Sequence, residues 1–152
     1  MEIENIIKTQ KMPDHARTVI NVIYTAHEIE NRITDAVKPY DISIPQFNVL
    51  RILKGRKGQP ANLCTIQERM IARMSNTTRI IDRLIDKGLV RRKQCPQNRR
   101  KVEIFITPEG LELLDRASTA VTAVEKEITD RLTPREIEDL NTALTRLRSQ
   151  KP

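Results

Sequence analysis

Almost all apolar residues of this chain recur at intervals of three and four positions, which is the spacing of one face of an α-helix. The period falls to two only near positions 102 to 106. This change predicts two short strands, Leu89 to Gln94 and Val102 to Thr107, joined by a polar loop from Cys95 to Lys101. Four glycines among 152 residues leave little room for an all-β fold rich in tight turns. The sequence therefore predicts a mainly α fold with a small β wing.

Residues that favour helix starts precede each predicted helix. Two of these starts, residues 43–46 and 133–136, are capping boxes, in which a hydroxyl accepts an early amide and the fourth side chain reaches back to the cap. We expect the first long helix to end near Val37, because a proline follows two residues later. Gly88 marks the end of another helix. The predicted caps are Asp14, Ser43, Asn62, Ser75, Thr107 and Thr133.

The positive charge of the chain is concentrated in its middle. Residues 43–107 hold fifteen lysine and arginine residues and four acids, a net charge of +11, whereas the rest of the chain has a net charge of −4. From Arg91 to Lys101 there are six basic residues and no acid. A segment so skewed in sign indicates a polyanionic partner.

Within this basic segment the predicted order is helix, short helix, capped helix and hairpin, which is the order of a winged helix-turn-helix. The capped helix, from Ser75 to Lys87, directs Ile81, Leu84 and Ile85 toward the core. Its other face carries a polar and basic set, since residues three and four apart are neighbours on a helix. That face is predicted to hold Asn76, Arg79, Ile80 and Arg83.

A helix of this composition is typical of a DNA recognition helix. Its N-terminal amides and short polar side chains approach phosphates, and arginine or asparagine reads base edges in the major groove. Long basic side chains at the hairpin tip reach the adjacent minor groove. The sequence therefore predicts DNA contacts from Ser75, Asn76, Thr77, Thr78, Arg79, Arg83, Arg99, Arg100 and Lys101.

These residues resemble the MarR-type winged-helix transcription regulators. Residues 46–50 (QFNVL) look like the family's second-helix signature, residues 75–84 (SNTTRIIDRL) like its recognition helix, and residues 87–92 (KGLVRR) like the exit into its wing. Residues 106–110 (ITPEG) resemble the strand end and the glycine-bearing helix start that follow the wing. The similarity covers residues 42 to 107 by motif and the rest by helix pattern.

The wing departs from the family pattern at one position. The family motif usually reads Asp-x-Arg, and here Asn98 takes the place of the acid, so it can cap the turn but cannot form an ion pair. The resemblance implies that Arg100 is the residue inserted into the minor groove.

The resemblance also implies a homodimer that binds a pseudo-palindromic operator and acts as a repressor. Residues 1–42 and 108–152 would form the helical dimerisation region, and residues 43–107 the DNA-binding domain. The apolar stripes of the terminal helices favour the same assembly, because one small winged domain cannot cover them. A small aromatic or lipophilic effector is implied between the dimer helices and the DNA-binding lobes. Its candidate pocket residues are Ile20, Tyr24, Tyr40 and Phe47.

Other functions have weaker sequence support. The carboxylate pairs lie at ordinary surface spacing and no nucleotide-binding or nucleophile motif is present, so we expect no enzyme, no cofactor and no metal site. A redox-responsive regulator acting through Cys95, whose neighbours are basic, stays an alternative, whereas Cys64 is expected to be partly buried. Non-specific architectural DNA binding is a further alternative. No apolar run is long enough to span a membrane, and two cysteines without a disulfide framework favour the cytoplasm.

Overall fold

The computed structural model describes residues 2–71, 76–95 and 98–149, and at Cys95 and residues 99–101 it describes the main chain only. These residues form a mainly helical fold with one two-stranded sheet, as the sequence predicts. A single 3₁₀ turn, Lys38–Tyr40, follows the second helix. The helices are α1 (Ile3–Ile6), α2 (Asp14–Val37), α3 (Ile44–Gly55), α4 (Leu63–Arg69), α5 (Thr77–Asp86), α6 (Pro108–Thr129) and α7 (Pro134–Arg148), and the strands are β1 (Val90–Cys95) and β2 (Asn98–Ile106).

One apolar core joins the winged segment to the helices that flank it. It is built from the buried faces of α3, α5 and α6, and it extends to Val37 at the end of α2. The core therefore crosses the predicted domain boundaries at residues 42 and 108. Its fully buried larger side chains include Leu50, Ile66, Leu84, Leu114 and Val90.

Side-chain caps start most of the longer helices as predicted. Ser43 and Gln46 form a capping box at α3, and Thr133 and Glu136 form another at α7. The Thr107 hydroxyl accepts a hydrogen bond from the Gly110 amide at 3.0 Å, which begins α6. These local bonds satisfy amides that have no partner inside their own helix.

Some predicted boundaries differ from the structure, and one short helix was not predicted. Asp14 is the first residue of α2 rather than its cap, because Pro13 occupies the cap position and no side chain caps this end. Helix α1 was not predicted, since four residues are too few to show a helical period. The predicted polar loop after β1 is shorter than expected, because β2 already begins at Asn98. The extension of the strands comes from backbone pairing, which polar side chains do not prevent.

The wing is held to the rest of the domain by backbone hydrogen bonds. Strands β1 and β2 pair antiparallel, with Val90 opposite Ile106 and Arg92 opposite Ile104. Ala61, between α3 and α4, adds a bridge to β2: its amide donates to the Ile104 carbonyl at 3.0 Å, and the Ile104 amide donates back at 2.8 Å. The root of the wing is thereby fixed against the start of α4.

Candidate nucleic-acid interface

Helix α5 exposes a polar and basic face. The side chains of Asn76, Thr78, Arg79 and Arg83 are exposed, and Arg79 and Arg83 are one helical turn apart. Among the residues that the structure describes, neither guanidinium has a carboxylate partner. Two free cations on one face of a helix are available to bind phosphates or base edges.

Two residues of α5 are buried although one, Ile80, was assigned to this face and the other, Thr77, was predicted to contact DNA. Thr77 is fully buried and Ile80 is buried with it, so the outward placement of Ile80 is wrong and the Thr77 side chain is not exposed for contact. Helix α5 begins at Thr77, and its buried stripe follows the spacing i, i+3, i+4, i+7. The sequence predicted the right helical period, but it placed the buried face of α5 about one residue too far toward the C-terminus. The buried stripe is Thr77, Ile80, Ile81 and Leu84.

Helix α5 packs on α3 and α4, and both of these helices begin at a side-chain cap. At α3, the Gln46 amide donates to the Ser43 hydroxyl at 3.4 Å, and the Ser43 amide donates to the Gln46 side chain at 3.0 Å. At α4, the Thr65 amide donates to the Asn62 side chain at 2.8 Å. These caps fix where the two supporting helices begin, so they also fix the platform on which α5 packs.

The wing contacts α5 through charged side chains. Arg92 of β1 forms an ion pair with Asp82 of α5, with 2.7 Å between Nη2 and Oδ1. On the same strand the Arg91 guanidinium lies 5.2 Å from the centre of the Phe105 ring, within the range of a cation–π contact. In the sequence, Arg92 is only one of the basic residues between Arg91 and Lys101, because nothing local signals a partner ten residues away on another element.

Four predicted contact positions lie outside the described residues or side chains. Ser75 is outside the described residues, so its predicted DNA contact stays a prediction. Its predicted role as the cap of α5 is wrong, because the helix begins at Thr77 and Asn76 occupies the cap position. The backbone of Arg99, Arg100 and Lys101 lies in β2, next to the tip of the wing, but their side chains are not described. Their roles therefore stay predictions from the sequence.

A cavity of about 340 Å³ lies between the wing, α4 and α5. Its walls are mostly apolar, and Asn62, Thr78 and Arg92 contribute polar groups to them. It is formed by Asn62, Leu63, Cys64, Thr78, Ile81, Arg92, Val102 and Ile104.

The four residues predicted as an effector pocket do not line this cavity. Phe47 is buried in the core and Tyr40 packs against the core, whereas Ile20 and Tyr24 are half-buried on α2. A second cleft, of about 690 Å³, lies between the end of α2, the start of α3 and the end of α5, and none of the four lines it either. The predicted pocket lies between the dimer helices and the DNA-binding lobes, so these four residues stay a prediction.

Of the two cysteines, only Cys64 has a described side chain, and its geometry gives a redox role no support. Cys64 is exposed, not partly buried as predicted, and its thiol donates to the Glu68 carboxylate at 3.2 Å. This hydrogen bond and the negative charge of Glu68 raise the pKa of Cys64 above the ordinary thiol value, which lowers its thiolate fraction at neutral pH. The Cys95 side chain, to which the alternative was assigned, lies outside the description.

Among the described residues, no three histidine, cysteine or acidic side chains gather in a way that could hold a metal ion. Within the same part of the chain, every helix is too short or too polar to cross a bilayer.

This chain matches one family model and is similar to known transcriptional regulators. The family model described as "MarR family" matches residues 42–102. The repressor IacR of Pseudomonas putida is 27% identical over 71% of this chain and 64% of its own length. The regulator YfiV of Bacillus subtilis is 37% identical over 48% of this chain and 44% of its own length. The chain thus spans less than two thirds of each of these two relatives.

Solved structures show the same fold. The organohalide-sensing transcriptional regulator RdhR-CbdbA1625, in its 2,4-dichlorophenol-bound form, superposes with a TM-score of 0.82 at 21% identity, covering 91% of this chain and 81% of that one. The match extends beyond the winged segment, so the flanking helices also follow this architecture.

Proposed function

Because its segment 42–102 matches the MarR family model, we propose that this protein is a transcriptional regulator that binds double-stranded DNA at specific sites. Helix α5 would lie in the major groove, and the wing would reach the adjacent minor groove with Arg100. The observation that carries the proposal is the exposed face of α5, on which Arg79 and Arg83 have no carboxylate partner among the described residues, in a segment of net charge +11. Such a role would place the protein in the cytoplasm.

Selection of bound duplexes from a random pool tests the proposal. The selected duplex and a scrambled duplex of the same composition are then compared at fixed salt. Arg79→Ala or Arg83→Ala should weaken binding of the selected duplex by about 1–3 kcal/mol, roughly 5- to 150-fold, if each arginine reads a base edge. Arg100→Ala should weaken binding and flatten its salt dependence. Arg116→Ala, an exposed arginine on α6, is the matched charge control and should change little.

Equal affinity for the selected and scrambled duplexes would contradict specific recognition. It would instead support the architectural alternative, in which the positive charge binds any duplex. If all four arginine variants behave alike, the interface is not where we place it.

We also propose that the protein works as a homodimer assembled through its terminal helices. All residues of α7 are described, and none of them is buried. Apolar side chains on α2 and α7 are exposed instead, among them Val19 (55%), Ile23 (64%), Leu140 (48%) and Leu147 (60%). A second copy that buries these faces would bring two α5 helices to successive turns of one DNA face.

The dimer is tested by sedimentation velocity across a range of protein concentrations. Ile23→Glu and Leu147→Glu should shift the protein toward the monomer, because a charge would replace an apolar contact. Ile71→Glu, at an exposed apolar residue outside the predicted dimerisation region, is the matched control. A wild-type protein that stays monomeric at all concentrations would contradict the assembly.

We propose that this protein is a repressor, which is the activity in the name of the Pseudomonas relative. A small aromatic or lipophilic effector would relieve the repression. The cavity between the wing, α4 and α5 supports this, because its volume of about 340 Å³ suits a molecule of one ring and its walls are mostly apolar. An occupant would contact α5 itself, since Thr78 and Ile81 form one wall. Differential affinity of the effector for free and DNA-bound protein would then loosen binding.

A thermal-shift screen of small aromatic acids and phenols tests the effector and its place. A ligand at 100 times its Kd stabilises the folded protein by about 2.7 kcal/mol. Leu63→Phe should abolish the shift if the ligand occupies the cavity, because the larger ring fills it. Tyr24→Ala should abolish it instead if the ligand binds beside α2, as the sequence predicts.

A further inference from the structure

We propose that the Asp82–Arg92 ion pair positions the wing against the recognition helix and thereby sets the specificity of DNA binding. This inference rests on the proposed function, because it concerns how the two DNA-contacting elements are held together. The pair joins α5 to β1 across 2.7 Å, and both side chains are close to half exposed, 46% for Asp82 and 45% for Arg92. Within the described residues it is the one ion pair between these two elements.

The pair lies where a small rotation of the wing is amplified. Arg92 is opposite Ile104, the residue whose backbone is bonded to Ala61 at the wing root. From Arg92 to Cys95 the strand extends by roughly 10 Å, at about 3.4 Å per residue. A rotation of about 10° at Arg92 therefore moves the tip by roughly 2 Å, which exceeds the tolerance of about 0.5 Å for a well-formed polar contact.

Because Asp82 is negatively charged, a positioning role and a purely electrostatic role predict opposite changes in affinity for the specific site when the charge is removed. Residues 43–107 hold only four acids, and two of them, Asp82 and Asp86, lie on α5. An acid near the duplex repels phosphates, so its removal should strengthen binding to any DNA if the acid has no other role. If Asp82 positions the wing, its removal should instead weaken binding to the specific site.

The pair contributes little to folding stability, so a variant that loses it can report on positioning while the domain stays folded. Exposed ion pairs contribute little to folding stability, since water screens the charges. The buried stripe of α5 and the backbone bonds of the wing root do not depend on the pair. Loss of the pair should therefore leave the domain folded while the wing gains rotational freedom.

The experiment compares Asp82→Asn with Asp86→Asn, which makes the same charge change on the same helix at an exposed acid that has no ion pair among the described residues. Affinity for the selected duplex and for its scrambled counterpart is measured at one salt concentration. Asp86→Asn should strengthen both and leave their ratio unchanged. Asp82→Asn should strengthen binding to the scrambled duplex but lower the ratio at least fivefold, and Asp82→Glu should restore it.

A second pair of variants tests the strand side. Arg92→Gln should lower the affinity ratio, whereas Lys93→Gln, the adjacent exposed base, should weaken both duplexes alike because it removes only charge. Overlapping thermal unfolding curves show that the variants are folded. If Asp82→Asn behaves as Asp86→Asn does, the positioning role is overturned while the proposed function stands. If the wild type does not discriminate between the duplexes, the proposed function itself is overturned, and this inference with it.

Discussion

Gly110 allows the start of α6 to approach the strand entry of the wing more closely than any other residue could. A β-carbon at this position would overlap the carbonyl oxygen of Leu89, and it would lie 2.9 Å from the Cγ1 of Ile106. Ordinary contacts of a β-carbon begin at 3.4 Å. The same Leu89 oxygen accepts a hydrogen bond from the Thr107 amide at 3.1 Å. We therefore predict that Gly110→Ala forces backbone movement at the joint between the wing and α6.

The magnitude follows from two opposing effects. Alanine in a helix is favoured over glycine by about 1 kcal/mol. Overpacking against fixed backbone costs about 1–3 kcal/mol, and loss of the Thr107–Leu89 hydrogen bond costs about 0.5–1.5 kcal/mol. The net result is a destabilisation of about 2 kcal/mol, which lowers Tm by about 4–8 °C for a chain of this size.

Chemical and thermal denaturation of Gly110→Ala and Gly55→Ala measure this directly. Gly55 is the last residue of α3, and a β-carbon there would meet nothing within 4 Å. Gly55→Ala should thus be neutral or stabilise the protein by up to about 1 kcal/mol. A Gly110→Ala protein as stable as Gly55→Ala would refute the close approach on which the argument depends.

Three other changes have defined outcomes. Hydrogen bonds from the cap of α7 lower the pKa of Glu136. The stabilising effect of this carboxylate is therefore present above the ordinary glutamate pKa, and it is lost as the pH falls through the lowered pKa. The Tm of Glu136→Gln should show less acid dependence than that of the wild type. Glu68→Gln should speed alkylation of Cys64 in a Cys95→Ser background, because the thiol pKa moves back toward its usual value, and an unchanged rate would argue against the contact. Ser43→Ala should cost about 0.5–2 kcal/mol of unfolding free energy in urea, since it removes the capping box of α3.

The helix starts and the wing were predictable because their signals are local. A capping hydroxyl acts on an amide three residues away, and strand alternation is visible over six residues. The boxes at Ser43 and Thr133 and the end of α2 at Val37 are accordingly where the sequence places them. Helix α1 was missed because four residues do not show a period.

The candidate site was only partly predictable. Period alone gives the width of the apolar stripe on α5, but it does not fix which residue begins it, and Thr77 and Ile80 were placed outward for this reason. The proposed pocket residues were chosen as apolar side chains, and the structure distributes them between the core and α2. A cavity is a gap between several packed elements, so no single segment carries a signal for it.

By itself, the sequence determined the helical class, the single hairpin and the concentration of positive charge in residues 43–107, because these depend on neighbours along the chain and on composition. Only the tertiary structure decided which side of α5 is exposed, that Ala61 bonds Ile104, and that Asp82 meets Arg92. Those contacts join residues on different elements, and they exist only once packing of the core has fixed the distances between those elements.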